Sequence, residues 1–252
     1  MKRLIPILLA VLTLGACHKD AFTISGTLDN GANKTLYVEE LTPDGPMFID
    51  SVKTDSKGNF TFTYTAPYES FYNLHVNEYD YVVLIPQKGE HIKIKGSYDH
   101  FSMSYEVSGS PESSLLWQLQ DYNNHGVERL QEIIAINEQN KSTLGEAEYE
   151  QAKLVTDSMY LDAYKEQQEY IIRFLTDNRG SLATIIALYK PFNNHPIIDP
   201  QHSMDWYQQV LEGLEEAKTE NPHTIHFRNT VSYLMHQYPP ANAQIVDIDL
   251  NQ

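Results

Sequence analysis

Between residues 22 and 108, apolar and polar positions alternate in short runs rich in Tyr, Phe, Val, Ile and Thr, each bounded by Gly, Asn, Asp or Pro. A period of two marks strands with one buried face. The runs 22–28, 34–41, 47–54, 59–65, 70–76, 81–85, 91–96 and 105–108 predict a many-stranded antiparallel domain. Thr61, Thr63 and Thr65 interleave with Phe60, Phe62 and Tyr64, so that strand carries one hydroxyl face and one aromatic face. Asp29-Asn30-Gly31 and Asp55-Ser56-Lys57-Gly58 hold residues that tolerate positive φ, and each predicts a hairpin turn. Short strands with turns every eight to twelve residues point to a small β-sandwich over 22–110.

The period changes after Gly109-Ser110-Pro111, which suits a connector between a strand and a capped helix. Ser113 or Ser114 can cap a helix carrying Leu115, Leu116, Leu119, Leu130, Ile133 and Ile134, with an irregularity expected at 123–126 because Gly126 costs about 1 kcal/mol in a helix interior. The stretch 145–177 keeps a near seven-residue apolar rhythm through Tyr149, Met159, Tyr160, Tyr164, Ile171 and Phe174 and ends at Asn178-Arg179-Gly180. Further helices are expected at 181–189, 203–218 and 224–237, the first stopped by Pro191 and the last by Pro239-Pro240. The fold class is α+β: an N-terminal β-sandwich followed by a helical region over 111–240.

The N-terminus changes the setting. Lys2 and Arg3 precede an apolar run too short to span a bilayer, so residues 1–16 read as a signal peptide. Leu14-Gly15-Ala16 stands directly before Cys17, the only cysteine, and resembles a bacterial lipobox, with Leu14, Gly15 and Ala16 recognised by the signal peptidase and Cys17 lipidated. Residues 17–21 then form the lipidated tether, and membrane attachment comes from the acyl chains. Removing residues 1–16 moves the formal net charge from −16 to −18, which disfavours nucleic acid as a partner and holds the body off anionic headgroups. His18-Lys19-Asp20 lacks a run of acids resembling a surface-export signal, so an outer-membrane site facing the periplasm is expected.

A resemblance sharpens this picture. Phe22-Thr23-Ile24-Ser25-Gly26 opens the β half, and Asp50-Ser51-Val52 leads through Asp55 and Gly58-Asn59-Phe60 to Phe62. Phe71-Tyr72-Asn73-Leu74, Lys88-Gly89-Glu90-His91-Ile92 and Val107-Ser108-Gly109-Ser110 follow in order. This succession resembles the uncharacterised N-terminal β-domain and helical spacer of thioredoxin-like envelope lipoproteins of the alkyl hydroperoxide reductase and thiol-specific antioxidant type. In that family a C-terminal domain with a redox Cys-x-x-Cys follows. Here 241–252 is similar to the start of such a domain, through Ala243-Gln244-Ile245-Val246-Asp247-Ile248-Asp249-Leu250, and the sequence stops at Gln252. The positions that would carry the cysteines are absent, so no catalytic residue carries over.

The remaining chemistry is sparse. His223 and His226 share a helix face, with His236 further on, but no zinc-protease Glu follows and His223 after Pro222 reads as a solvated or capping residue. No metal or other cofactor is assigned, and His195 and His202, flanking a proline-containing loop, gain no better claim. Ser108-Gly109-Ser110 reads as a turn and a helix cap, not a nucleophile. Glu39-Glu40 and Glu215-Glu216 are pairs that 34 acids produce by chance. Tyr68, Tyr72 and Tyr79 form a candidate ligand platform, although alternate aromatics in strands more often fill a core. Three functions are expected in order: a non-catalytic binding or scaffolding lipoprotein, partnered by an envelope or thioredoxin-like protein; the front of a thiol-disulfide oxidoreductase lacking its redox domain; and a carbohydrate-binding lipoprotein.

Overall fold

Residues 20–239 are described by a computed structural model. The signal-peptidase residues Leu14, Gly15 and Ala16, the lipidation residue Cys17 and the stretch 241–252 lie outside the described residues.

Eight strands form where the alternation places them: β1 (Phe22–Asp29), β2 (Thr35–Thr42), β3 (Gly45–Lys53), β4 (Asn59–Tyr64), β5 (Phe71–His75), β6 (Tyr81–Leu84), β7 (His91–Ser97) and β8 (Glu106–Ser108). They divide into two sheets, β4-β1-β7-β8 and β3-β2-β5-β6. Phe22, Ile24, Phe60, Phe62, Ile92 and Ile94 of the first face Leu36, Val38, Tyr72, Leu74, Val82 and Leu84 of the second in one buried core. The domain is not wholly antiparallel, because β1 and β7 pair in parallel.

The two predicted hairpins are corners instead. The turn after β1 and the turn after β3 each carry the chain from one sheet to the other. Their residues have the expected conformations, with positive φ at Asn30, Asn33 and Gly58. Positive φ sets the direction of a turn but not the partner of the next strand, and here the apolar faces of β1 and β2 meet across the core instead of lying side by side. The corners also bind each other. The Leu28 amide donates to the Gly58 carbonyl at 3.0 Å and Asn33 N–H to the Asp55 carbonyl at 3.0 Å, while buried Thr54 donates to the Gly31 carbonyl and accepts from Lys34 N–H. The hairpins that do occur join β2 to β3 and β5 to β6.

After α1 (Phe101–Ser104) and β8, the helical region begins with α2 (Pro111–Thr143) and α3 (Glu146–Asp177). Each is about 50 Å long at 1.5 Å per residue. The break expected at 123–126 does not form. Gly126 lies under the buried side-chain amide of Gln167 from α3, so the missing side chain makes room for the neighbouring helix and the hydrogen-bonded turns run on. One turn earlier the rings of Tyr122 and Tyr170 stack at 3.6 Å and 5°. Then follow α4 (Ala183–Leu188), a small hairpin of β9 (Pro191–Phe192) and β10 (His195–Pro196), α5 (Pro200–Lys218) and α6 (Pro222–Gln237). No described helix is long and apolar enough to cross a membrane.

Phe71 and Ile85 belong to the core of the helical region, with Leu41 and Val83 packed against it. The sheet β3-β2-β5-β6 is thus covered on both faces at its β5–β6 end, by the other sheet on one side and by helices on the other.

The corner geometry makes a direct prediction. A Cβ on Gly58 would meet the Leu28 carbonyl oxygen at a φ of +80°. Gly58→Ala should lower the unfolding free energy by about 2–4 kcal/mol in a urea titration; a loss below about 0.5 kcal/mol would show that the corner can relax.

Candidate functional site

Two places gather polar side chains, one sealed and one open. The sealed one is a seam between the sandwich and the helices. Asn221 caps α6, accepting from His223 N–H at 2.9 Å, and its amide donates to the Glu69 carbonyl at 2.8 Å. That cap aims His223 at Ser70, and Nε2 lies 2.8 Å from Ser70 Oγ with both side chains buried. Phe71 meets the imidazole edge to face at 4.9 Å. Burial lowers the His223 pKa to about 4, with a smaller contribution from His226, so the ring is neutral at pH 7. Beside it Lys218 Nζ lies 3.2 Å from Glu69, whose carboxyl is pushed up by burial more than the lysine pulls it down. At the other edge of the seam Ser110, the N-cap of α2, bonds Ser113, whose hydroxyl accepts from the Ile85 amide at 3.1 Å.

Ser70 and His223 have the spacing of a nucleophile and its base. With 0% and 7% exposure, however, they meet no substrate, and their bond joins β5 to α6. His223 is therefore buried and bonded, not solvated as its place after Pro222 suggests. His226 and His236 are exposed, and among the described residues no group of three or more His, Cys, Asp or Glu is placed to hold a metal ion.

The open place is a groove of about 500 Å³ between α3, the β9–β10 hairpin and the start of α5. Asn193 and Asn194 both take positive φ and turn the hairpin. The strap that follows is held down by Tyr164, whose hydroxyl donates to the Pro196 carbonyl at 3.3 Å, by Gln168, which donates to Ile197 at 3.3 Å, and by Tyr207, which donates to Ile198 at 3.1 Å. Phe192 packs against the rings of Tyr160 and Tyr164 at 5.7 and 6.2 Å. Asp199 caps α5 and holds His202 Nδ1 at 3.1 Å, while Ser203, at φ −138° and ψ 34°, interrupts the helix beside the groove. Burial raises the Tyr164 phenol above its usual range.

The lining is aromatic and apolar walls with two imidazoles, a carboxylate, an amide and a hydroxyl at the rim. Asp199 orients His202 as a third group would orient a catalytic base, but among the described residues no nucleophile is hydrogen-bonded to that imidazole. The arrangement can stack on and hydrogen-bond to a ligand.

The structure separates Tyr68, Tyr72 and Tyr79. Tyr72 is fully buried, its ring 4.9 Å from Phe22 in the sandwich core. Tyr68 is half-buried near Glu40 and His223, whereas Tyr79 is 88% exposed on the turn beyond the far end of β5. A platform shared by the three does not exist, because β5 separates Tyr68 from Tyr79 and turns Tyr72 inward. The paired acids separate as well. Glu40 points into the sandwich while Glu39 lies 3.7 Å from His75 on the opposite face, and Glu215 and Glu216 pair with Arg228 and Arg179.

The seam responds to pH with a definite sign. The folded His223 ring titrates near 4 and the unfolded one near 6.5. As pH falls through that window the unfolded chain takes up a proton that the folded chain refuses, so stability falls, by up to about 3 kcal/mol, while above pH 6.5 the contribution is flat. In His223→Gln, the stability difference from wild type should shrink between pH 7 and pH 4.5 in urea titrations. A difference that stays constant over that range would remove His223 from the acid response.

No curated protein matches the chain. Residues 22–116, the sandwich and the first residues of α2, match the family model of a domain of unknown function, DUF4369.

Proposed function

We propose that the chain is a lipid-anchored envelope protein acting as a non-catalytic binding module, allied to the accessory region of thioredoxin-like lipoproteins. Cys17 carries the anchor, and the acidic body stands off the membrane facing the periplasm. The sandwich serves as the base, and the groove beside α3 receives a peptide segment of an envelope partner. The single observation behind this reading is the contrast between the two polar sites. The one Ser–His pair bonded through both side chains among the described residues is buried, whereas the open groove offers aromatic walls and hydrogen-bonding groups with no nucleophile bonded to its imidazoles.

Two experiments test it. Cys17→Ala should move the protein from the membrane to the soluble fraction of fractionated cells, and unchanged partitioning would remove the anchor. A photo-crosslinking amino acid at Leu161, 55% exposed at the groove, should give discrete protein adducts that one at Tyr233, 63% exposed on α6, does not. Identical adducts from both positions would remove the groove from recognition.

A further inference from the structure

Tyr160 and Tyr164 lie one turn apart on α3, and both stand half-buried in the wall of the open groove. Phe192 is buried against the two rings, at 5.7 and 6.2 Å, and holds their planes. Asp199 lines the same groove from the start of α5, with its side chain 40% exposed. Burial, then Tyr160 and Asp199, raise the Tyr164 phenol above its usual range, so the carboxylate acts on the same space as the rings. Asp199 is the one lining residue of the Asp, Glu, Lys or Arg type. Among the described residues its side chain bonds the Gln201 amide and the His202 imidazole, and no lysine or arginine comes within ion-pair distance.

Aromatic faces attract a cation, and a carboxylate beside them selects one that can also lie flat. A guanidinium meets both demands, because it is planar and weakly hydrated, stacks on tyrosine, and carries a fork of N–H donors that matches a carboxylate. An ammonium is a compact, strongly hydrated point charge that does not stack. A phosphate or carboxylate would find no lysine or arginine in the lining and would face Asp199. The groove of about 500 Å³ falls within the range of about 300–1,000 Å³ of ligand sites, with room for one long side chain and the backbone that carries it. The charge of the whole chain, 34 acids against 18 bases, also draws a basic partner. Resting on the reading of the groove as a recognition site, we propose that it takes an arginine side chain of the partner's segment, with the guanidinium stacked against the Tyr160 and Tyr164 rings and its N–H donors turned to Asp199.

The test uses the whole protein and Nα-acetyl-arginine N-methylamide, with the citrulline derivative as the neutral molecule of nearly the same shape. Saturation-transfer NMR should show the arginine derivative bound and the citrulline derivative about tenfold weaker. Asp199→Asn keeps a side chain that can cap α5 and removes the charge. That variant, folded by circular dichroism, should bind the arginine derivative about tenfold more weakly, and Tyr160→Leu, which keeps an apolar wall without the ring, about threefold more weakly. Arginine binding with these losses but without protein adducts at Leu161 would support the guanidinium site and remove the envelope partner from it. Adducts at Leu161 without arginine binding would leave the groove in recognition and overturn the arginine assignment. Equal binding of the arginine and citrulline derivatives, or binding that Asp199→Asn leaves unchanged, would also overturn it.

Discussion

The sheet β3-β2-β5-β6 has to be buried twice, and the rest of the molecule is arranged around that requirement. In β5 the side chains of Tyr72 and Leu74 enter the sandwich while Phe71 turns the other way into the helical core, where Ile85, just beyond β6, joins it. Each large apolar side chain removed from water contributes about 1.5–3 kcal/mol. A sandwich without the helices would expose Phe71, Ile85 and part of Leu41 and Val83, and the helices alone would lose the wall on which α2, α4 and α6 close. The family boundary at residue 116 lies within α2, so the unit defined by sequence similarity and the unit defined by burial do not coincide.

The apolar contact needs a polar frame because helix ends and strand ends meet there. Asn221, Ser110 and Ser113 satisfy backbone amides that the junction would otherwise strand, and the Ser70–His223 bond fixes how α6 approaches β5. A neutral hydrogen bond of this type contributes about 1 kcal/mol, but leaving one partner buried and unmatched costs about 1–3 kcal/mol, so the seam specifies one docking geometry more than it adds stability. That geometry keeps Ser70 and His223 from solvent, whereas the groove beside α3, away from the joint, stays open.

Much of the fold is legible in the chain because it is local. Alternation locates the eight strands of the sandwich, and Gly180 and the prolines mark where helices stop. Information of longer range does not show in local sequence. The turns at Asn30 and Gly58 announce a reversal without saying which sheet receives it. Phe71-Tyr72 are adjacent aromatics, so alternation alone cannot decide which one faces the sandwich, and the register of β5 with β2 and β6 decides it. Gly126 looks like a helix breaker until Gln167 is placed over it. Ser70 and His223 are 153 positions apart, and nothing in either neighbourhood names the other. The groove had partial signals in Asn193-Asn194 and in Asp199 before Pro200, but its walls come from Tyr160 and Tyr164, which read as ordinary members of an apolar helix stripe.

The claim that sandwich and helices form one body is tested most directly by native-state hydrogen exchange at increasing urea concentration. If burial of one sheet on two faces holds the molecule together, the amides of β5 and α6 exchange through the same cooperative opening, with equal free energies and equal urea dependence. If α6 exchanges at low urea while β5 keeps its full protection, the helices are a separable attachment and the account is wrong.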